Sequence, residues 1–367
     1  MPSKYWKYEN IKSVHLEVST LCNSICPWCP RYENFSPNLN PNIVEGSYTL
    51  QRFTSDFPIN FIKQIRHWTF AGDYGDPCTA PELLDILYYI NEHNSKCSIQ
   101  INTNGGMKTE RFWYDLGMLF TKNKSRYVIF SVDGLEDTNH IYRRNVKWHK
   151  VVRAMRTYSN TGATGIWEYL KFKHNEHQLS TAEDMAKDLG FEIRFKNPNG
   201  FEGAPMPARD KDYNIEYEIY PQTGNEIKTI DERTKNWIKT LDVTDTYKVY
   251  NKRQTKVNCS ANHKFGGGYE VRINYDGTVW PCSFFGHLSS KDLTNRYVGK
   301  PQQAQMYDLF KDTDNNLNNR SLKEILDADP FKNVYEGWEG NNIMLCSDSC
   351  GEFKTMEKIY GSSADRR

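Results

Sequence analysis

Short β-like runs alternate with helical segments from about residue 10 to residue 200, and this pattern constrains the fold more than any other feature of the sequence. A strand, a helix and a parallel strand form the repeating unit of an α/β sheet. Six strands are predicted, at VHLEV (14–18), HWTFAG (67–72), CSIQINTNG (97–105), YVIFSVDG (127–134), WEYLKFKHN (167–175) and FEIRFKN (191–197). Helices are predicted at 81–93, around 110–122 and at 181–190, where Gly190 caps the helix end. In such sheets ligands gather at the carboxyl ends of the strands.

The alternating pattern stops near residue 200, which predicts a domain boundary. Residues 201–258 begin in a stretch rich in Gly, Pro and Asn and continue as a polar segment with few periodic runs, so we predict a linker or insertion there. Residues 259–355 carry the last four cysteines and are predicted to form a smaller domain, followed by a tail at 356–367. Residues 1–200 are then the core domain of a 367-residue chain.

Charge and hydropathy argue against two classes of partner. The formal net charge is +1, from 47 basic and 46 acidic residues, which gives no electrostatic case for nucleic acid or a membrane surface. The sequence has neither a long apolar run nor a signal-peptide core, so we expect a cytoplasmic protein. In that compartment nine cysteines favour metal or redox chemistry over a disulfide framework.

Three of the cysteines, Cys22, Cys26 and Cys29, are spaced C-x3-C-x2-C on one short segment. Three ligands are one too few for a closed tetrahedral site, and a metal site with an open position does chemistry. Closely spaced thiolates also hold iron–sulfur clusters. The alternatives are a zinc knuckle with His15 as the fourth ligand, or three cysteines close together by chance.

This spacing, with the aromatic Trp28 just before the third cysteine, resembles the signature of the radical S-adenosylmethionine (radical SAM) enzymes. The resemblance implies a partial (β/α)6 TIM-like barrel and a 4Fe–4S cluster on Cys22, Cys26 and Cys29. It further implies that the open iron binds S-adenosylmethionine and that the reduced cluster cleaves it to a 5′-deoxyadenosyl radical. An external electron donor such as flavodoxin or ferredoxin is then expected as a partner.

Two predicted strand ends carry further matches. Gly75, Asp76 and Pro77 resemble the family's Gly-Glu-Pro element, with aspartate in place of glutamate, which implies contact with the methionine ammonium. An ordinary Gly-Asp-Pro turn is the alternative. Asn102 and Asn104 in INTNG are candidate contacts to the nucleoside or the methionine, although Asn104 precedes Gly and equally suits a turn.

The fourth predicted strand ends near Ser131, and the resemblance assigns this residue to contacts with S-adenosylmethionine. It assigns Arg143 to the carboxylate of S-adenosylmethionine, a role that suits the bidentate fork of arginine. Arg144 is the neighbouring alternative, and an exposed salt bridge is the other explanation for either arginine. No residue is predicted as a general acid or base.

The four later cysteines, Cys259, Cys282, Cys346 and Cys350, are enough to saturate a second cluster. A hairpin turn at Tyr275-Asp276-Gly277-Thr278 is predicted to deliver Cys282. The pattern resembles the SPASM extension or its shorter twitch form, which implies one auxiliary 4Fe–4S cluster here. The long gap between Cys259 and the hairpin makes that ligand the least certain, and a four-cysteine zinc site is the alternative.

An auxiliary cluster with four protein ligands suits electron transfer, so the resemblance predicts an oxidoreductase that oxidises an organic substrate radical. Only 21 residues precede Cys22, which slightly favours a small-molecule substrate over a peptide bound by a fused leader-binding domain. A peptide-modifying maturase that forms thioether or carbon–carbon crosslinks is the alternative within the family. The alternative from another class is an iron–sulfur or zinc protein acting as an electron carrier or scaffold.

Overall fold

The computed structural model describes most of the chain and divides it into two compact units. The described residues are 6–198, 205–224, 256–257, 259, 268–286, 309–310, 313–339, 346 and 350–352. The larger unit comprises 14–230 and 273–276, and the smaller unit comprises 1–13, 231–272 and 277–367.

Six strands lie side by side in chain order and form the sheet that positions the candidate site. They are β1 (Ile11–Leu16), β2 (His67–Phe70), β3 (Ser98–Thr103), β4 (Arg126–Ser131), β5 (Thr164–Leu170) and β6 (Glu192–Lys196). Each pair from β2–β3 to β5–β6 is parallel. The mixed α/β class with a mostly parallel sheet is therefore confirmed.

Helices occupy the connections between these strands. They are α1 (Leu50–Asp56), α2 (Ile59–Gln64), α3 (Leu83–His93), α4 (Glu110–Phe120), α5 (Asn139–Tyr142), α6 (Trp148–Ser159) and α7 (Leu179–Asp188). The side chains of Thr49 and Thr109 cap the amino ends of α1 and α4. Gly190 follows α7 with φ +67°, as predicted for a helix end that needs the left-handed region. Among the described helices none is long and apolar enough to cross a membrane.

The two faces of the sheet differ in polarity. Along β3 the buried residues Ile99 and Ile101 alternate with Gln100 and other half-buried polar residues. On the apolar face Phe130 packs against Trp113 of α4, with ring centroids 5.4 Å apart. On the opposite face the Gln100 side chain accepts a hydrogen bond from the Tyr127 hydroxyl at 2.7 Å. The polar face is therefore the one available to a ligand.

The predicted insertion contains a β-hairpin. Strands β7 (Met206–Arg209) and β8 (Ile215–Ile219) pair antiparallel. Several hydrogen bonds hold the hairpin to the rest of the larger unit, among them one from the Arg209 N–H to the Phe35 carbonyl at 3.0 Å and one from the Tyr217 hydroxyl to the Ile141 carbonyl at 2.8 Å. These contacts make the hairpin part of the larger unit.

The smaller unit contains short elements around the later cysteines. They are β9 (Lys256–Val257), β10 (Tyr269–Ile273), β11 (Val279–Trp280), α8 (Ser283–Gly286), α9 (Leu322–Leu326), α10 (Asp329–Glu339) and β12 (Gly351–Glu352). Strands β10 and β11 are neighbours and form the predicted hairpin, with Gly277 at φ +92° in its turn. Cys78 and Cys97 are buried in the larger unit, as expected of small apolar side chains.

The imidazole of His174 lies in an apolar environment in the loop after β5. Its ring stacks on Phe172 with centroids 5.1 Å apart, and its buried Nε2 has no hydrogen-bond partner in the part of the chain that the structure describes. Burial, and to a smaller extent the charges of His140 and His177, lower the pKa of His174 to about 4. The neutral imidazole is therefore the form that suits the fold.

We expect this histidine to make the fold acid-sensitive. In the unfolded chain His174 protonates near pH 6.5, whereas the folded chain resists protonation down to about pH 4, so stability is full above pH 6.5 and falls between these values. The loss between pH 7.5 and pH 5.5 is about 1 kcal/mol. Urea unfolding at both pH values measures it. His174→Phe keeps the stack without the titrating group and should lose less stability over the same interval; equal losses would contradict the assignment.

Candidate functional site

The cysteine loop, defined as residues 22–29, follows β1 and lies against two other loops that follow strands. The Asp76 N–H donates to the Leu21 carbonyl at 2.8 Å, which joins the turn after β2 to the start of the loop. The side-chain amide of Asn104, just after β3, donates to Asn23 Oδ1 at 2.8 Å. Three segments distant in sequence therefore meet at one place, as the parallel sheet predicts.

Hydrogen-bond donors surround two of the three sulfurs. Cys22 Sγ accepts from the Ser24 N–H at 3.4 Å and from Asn104 Nδ2 at 3.7 Å. Cys26 Sγ lies 3.0 Å from the Ser24 hydroxyl and 3.7 Å from Arg143 Nη1. Donors aimed at sulfur stabilise thiolates and tune the clusters that thiolates hold.

The third cysteine thiol, of Cys29, donates to the Asp73 carbonyl at 3.7 Å. Within the described residues no group of three or more His, Cys, Asp or Glu side chains is arranged to hold a metal ion. The three thiols nevertheless lie within electrostatic range, since Cys26 and Cys29 both raise the pKa of Cys22. Burial raises that pKa most, followed by the charge of Asp76. A bound cationic centre would reverse this effect, and three thiols within electrostatic range, two of them with directed donors, suit a three-cysteine cluster.

His15, the alternative zinc ligand, lies on β1. Its Nε2 donates to the Ala71 carbonyl at 2.9 Å. The ring is thus held by the segment after β2.

Two residues after the cysteine loop brace it, and the sequence did not single them out. Arg31 is buried and donates to the Thr20 carbonyl and to Glu45. The Tyr32 hydroxyl donates to the Ser24 carbonyl at 3.0 Å, and burial raises the pKa of Tyr32 to about 12. An arginine next to a cysteine motif was a visible signal, but its partners were not.

Glu17 is a second residue that sequence reasoning missed. It is 1% exposed, and its Oε1 accepts the backbone N–H groups of Asp73 and Tyr74, each at 2.9 Å. A buried carboxylate with two such donors fixes the turn after β2. The signal was a lone acid in the apolar run VHLEV.

The Gly75-Asp76-Pro77 turn packs directly on the entry to the cysteine loop. A Cβ on Gly75 would lie 2.0 Å from the Ser19 carbonyl oxygen and 2.6 Å from the Thr20 Cα, so only glycine fits. Pro77 is buried and begins a short 3-10 helix, Pro77–Thr79. Backbone atoms of the turn, rather than a side chain, therefore lie against the entry to the cysteine loop.

The Asp76 carboxylate is engaged within the protein. It accepts from the Cys78 N–H at 2.9 Å, the Thr103 hydroxyl at 3.0 Å and the Asn104 N–H at 2.8 Å. Burial raises the pKa of Asp76 above its ordinary value, and these three donors lower it in part. The side chain therefore joins the turn after β2 to the end of β3, a role that the sequence did not predict.

The two candidate asparagines have different partners. Asn104 is buried and contacts the cysteine loop, while its Oδ1 also accepts the Gly106 N–H at 2.8 Å. Asn102 lies on the polar face of β3, where its Oδ1 accepts from Gln100 Nε2 at 2.7 Å. Asn104 thus makes the turn that was one of its two predicted roles, and its amide also contacts the cysteine loop.

Arg143 is oriented by a buried ion pair. Its Nε donates to Asp133 Oδ2 at 2.6 Å, and Asp133 Oδ1 accepts the Leu170 N–H at 2.7 Å. Burial by itself lowers the pKa of Arg143, but the adjacent Asp133 carboxylate, with Cys26 and Tyr142, raises it by more in total, so the guanidinium stays charged. Its Nη1 faces Cys26. Half-buried Ser131 ends β4, two residues before Asp133.

Arg144 contacts the hairpin instead. Its Nη1 donates to the Arg209 carbonyl at 2.8 Å, and its Nη2 pairs with Glu216 at 2.5 Å. These contacts favour Arg143 over Arg144 as the arginine that faces the cysteine loop.

An apolar cluster covers the Cys26 side of the loop. Its buried members are Cys26, Tyr142, Phe172, Met206 and Ile219, and Trp28 and Cys29 pack against it. Trp28 also contacts Phe35, with ring centroids 5.4 Å apart. The hairpin β7–β8 contributes to this cover, which keeps water from one side of the cysteines.

Short elements of the smaller unit lie next to the later cysteines. Cys282 follows the β10–β11 hairpin and directly precedes α8, and its carbonyl accepts the Phe285 N–H at 3.1 Å. Strands β9 and β12 pair antiparallel with Gly351 opposite Val257. Because Cys259 follows β9 and Cys350 precedes β12, this pairing places both at one end of the ribbon. Cys346 is buried.

Comparisons identify the fold but no sequence relative. No family profile and no curated protein sequence matches the chain. The structure is similar to Streptococcus suis SuiB bound to S-adenosylmethionine, with a TM-score of 0.52, 13% identity and coverage of 89% of this chain and 68% of SuiB. For SuiB bound to precursor peptide SuiA the TM-score is 0.53 at 12% identity, over 91% of this chain and 67% of SuiB. At this level of identity the comparisons show a shared fold with SuiB, in agreement with the mixed α/β class and mostly parallel sheet described above.

Proposed function

We propose that this chain, which has the fold of the S-adenosylmethionine-bound protein SuiB, is a radical SAM oxidoreductase with a partial (β/α)6 barrel. The observation that carries the proposal is the cysteine loop itself, where Cys22 accepts from the Ser24 N–H and the Asn104 amide, Arg143 faces Cys26, and Cys29 lies on the same short loop. When bound to Cys22, Cys26 and Cys29, a reduced 4Fe–4S cluster cleaves S-adenosylmethionine and supplies a 5′-deoxyadenosyl radical that takes a hydrogen atom from substrate.

The chain's own residues bind and orient the substrates of that chemistry. The backbone of the Gly75-Asp76-Pro77 turn is proposed to contact the methionine ammonium. The Arg143 guanidinium, held charged by Asp133, is proposed to bind the methionine carboxylate through its Nη edge. Ser131, Asn102 and Asn104 are proposed as further contacts. The apolar cluster around Cys26 excludes water from that side of the site.

We propose that Cys259, Cys282, Cys346 and Cys350 hold one auxiliary 4Fe–4S cluster in a twitch-type domain at 259–355. The hairpin that delivers Cys282 and the ribbon next to Cys259 and Cys350 support this ligand set. Held by these cysteines, such a cluster would supply an acceptor for the electron of the substrate radical, and the net reaction would then be a two-electron oxidation.

Anaerobic reconstitution tests the proposal. The chain should bind about eight iron atoms and form 5′-deoxyadenosine from S-adenosylmethionine when dithionite is added. Zinc without sulfide, or clusters without deoxyadenosine, would establish the scaffold or electron-carrier alternative instead. This experiment needs no substrate, since cleavage can proceed uncoupled.

Replacement of Cys282 should remove the auxiliary cluster and leave the cluster on Cys22, Cys26 and Cys29. The Cys282→Ala chain is expected to bind about four iron atoms, because one cluster loses a ligand, and to keep uncoupled deoxyadenosine formation. Iron and sulfide analysis with electron paramagnetic resonance measures the loss. Cys97→Ala, at a buried cysteine outside both sets, is the matched control and should retain all of the iron. Unchanged iron in Cys282→Ala would remove the auxiliary-cluster assignment.

The substrate is proposed to be a small organic molecule, and a peptide is the second candidate. SuiB bound to precursor peptide SuiA, with the same fold, favours the peptide candidate. The polar face of β3 and β4, with Gln100, Asn102 and Tyr127, suits hydrogen bonding to either substrate. Genes next to this one can decide, because a short peptide gene would indicate a maturase.

A further inference from the structure

The longest acid-free segment near the cysteine loop is strongly basic. Residues 138–167 contain six Arg or Lys residues, two His and no Asp or Glu, in a chain whose net charge is only +1. The segment covers α5, α6 and the turn between them. Such a concentration of one sign of charge is not expected by composition and creates a local positive potential.

The start of this segment is hydrogen-bonded to the cysteine loop. The Arg144 carbonyl accepts the Ile25 N–H at 2.9 Å, and the Asn145 side chain donates to the Asn23 carbonyl at 3.0 Å. Arg143 reaches the Cys26 sulfur. The start of the basic segment therefore lies directly against the cysteine loop.

Helix α6 turns its charges outward. Its buried residues are Val151, Ala154, Met155 and Tyr158, at helical spacing. Its exposed charged and ionisable residues are His149, Lys150, Arg153 and Arg156, and exposed Lys147 precedes the helix. We call Lys147, His149, Lys150, Arg153 and Arg156 the basic face.

Two shallow clefts border this face. One of about 530 Å³ is lined by Arg144, Lys147 and Tyr217, and another of about 430 Å³ is lined by Arg153 and Arg156. The half-buried ring of Trp148 lines both clefts. A tryptophan among arginines is the composition typical of interface centres.

Nearby carboxylates neutralise only part of the charge. Glu216 pairs with Arg144, Glu110 pairs with Arg153 at 3.4 Å, and exposed Glu136 lines the larger cleft. Lys147, Lys150 and Arg156 have no ion-pair partner among the described residues. The basic face thus keeps a positive surplus that an acidic partner can neutralise.

We propose that the basic face is the docking surface for an acidic one-electron carrier protein that reduces the cluster at the cysteine loop. The inference rests on the proposed function, which requires an external electron. One electron passes from the reduced carrier to the oxidised cluster, and the carrier leaves oxidised by one electron. Charge complementarity sets the encounter. Because hydrogen bonds join Arg144 and Asn145 to the cysteine loop, a carrier docked on this face lies next to that loop.

Charge reversal with a matched control tests the docking surface. The test variant is Lys147→Glu with Lys150→Glu, at the start of α6, where acids suit the helix dipole and folding is preserved. The control is Lys122→Glu with Lys124→Glu, two exposed lysines in the turn before β4, with the same change in charge. Reduced flavodoxin, an acidic flavoprotein, is the probe, and dithionite is the small-molecule reductant.

The test variant is expected to need about tenfold more flavodoxin for half-maximal deoxyadenosine formation, with an unchanged rate at saturation. Its dithionite-driven rate should equal that of the unmodified chain, and the control should behave as the unmodified chain with both reductants. Equal flavodoxin dependence in test and control overturns the proposal. An equal loss of the dithionite-driven rate also overturns it, because such a loss indicates damage to the cysteine loop. A loss confined to turnover of an acidic peptide substrate overturns it as well.

A direct binding measurement tests the docking surface independently of the proposed enzymatic activity. Titration of oxidised flavodoxin into the reconstituted chain should give weaker binding for the test variant and a smaller salt dependence, without any cleavage step. If the chain binds flavodoxin through this face but forms no deoxyadenosine with any reductant, the docking surface stands and the enzymatic proposal fails. No difference in binding between test and control overturns the docking surface alone.

Discussion

The Cys26→Ala chain should lose about four of its roughly eight iron atoms and all S-adenosylmethionine cleavage, while the fold remains. Only three thiolates are available at the first cluster, so removal of one leaves two and no stable cluster. Cys26 is also the sulfur that Arg143 and Ser24 both approach, at 3.7 Å and 3.0 Å. The loss is therefore expected to be complete rather than partial.

The side chain removed is small, so the effect on stability is modest. Cys26 is 8% exposed within the apolar cluster, and deletion of one buried sulfur costs about 1 kcal/mol. Iron and sulfide analysis, equilibrium dialysis of S-adenosylmethionine and a deoxyadenosine assay measure the three losses separately. Cys97→Ala, also buried, should keep all three values. Full iron content in Cys26→Ala would show that the loop does not hold a cluster.

The strands were predictable because their hydrophobic pattern is local. Five of the six predicted strands overlap the observed ones over most of their length, whereas the first lies at Ile11–Leu16 rather than at 14–18. The polar residues Lys12 and Ser13 concealed its start. Helix α6 was missed although Val151, Ala154, Met155 and Tyr158 have helical spacing, so that omission was avoidable.

The hairpin β7–β8 could not be predicted from local pattern. Strand β7 contains Pro207, and IEYEI in β8 carries two glutamates, so neither segment has strong β-propensity. The hairpin is stabilised instead by distant residues, including Phe35 and Ile141. Tertiary contacts outweighed propensity here.

In the site, too, features set by local sequence were predictable, whereas features set by tertiary contacts were not. The cysteine loop and the turn at 75–77 were recognisable as motifs because their residues are close together in the sequence. The buried groups that hold them together, Glu17 and Arg31, were not, because their partners at Tyr74 and Glu45 are set by the fold. The role of Asp76 was not predictable for the same reason. Its carboxylate lies in the turn after β2 and accepts hydrogen bonds from Thr103 and Asn104 at the end of β3.

Gly75→Ala should unfold or displace the site although it adds only one methyl group. The new Cβ would lie 2.0 Å from the Ser19 carbonyl oxygen, and backbone atoms of Thr20 are at 2.6 Å, so no side-chain rotation can relieve the overlap. We expect a loss of about 3 kcal/mol in the free energy of unfolding and a fall of at least about tenfold in S-adenosylmethionine affinity. Urea unfolding and equilibrium dialysis measure them.

Gly162→Ala is the matched control, since it tests backbone strain without a steric overlap. Gly162 has φ +79° and nothing within 4 Å of an added Cβ, so the cost there is that of the left-handed conformation, about 1 kcal/mol. Its iron content and S-adenosylmethionine affinity should be unchanged. Equal destabilisation of the two variants, with normal affinity in both, would mean that the turn at 75–77 can move away from the cysteine loop. A larger loss at Gly75, with affinity lost as well, means that the glycine is required because two backbone segments must touch where the ligand binds.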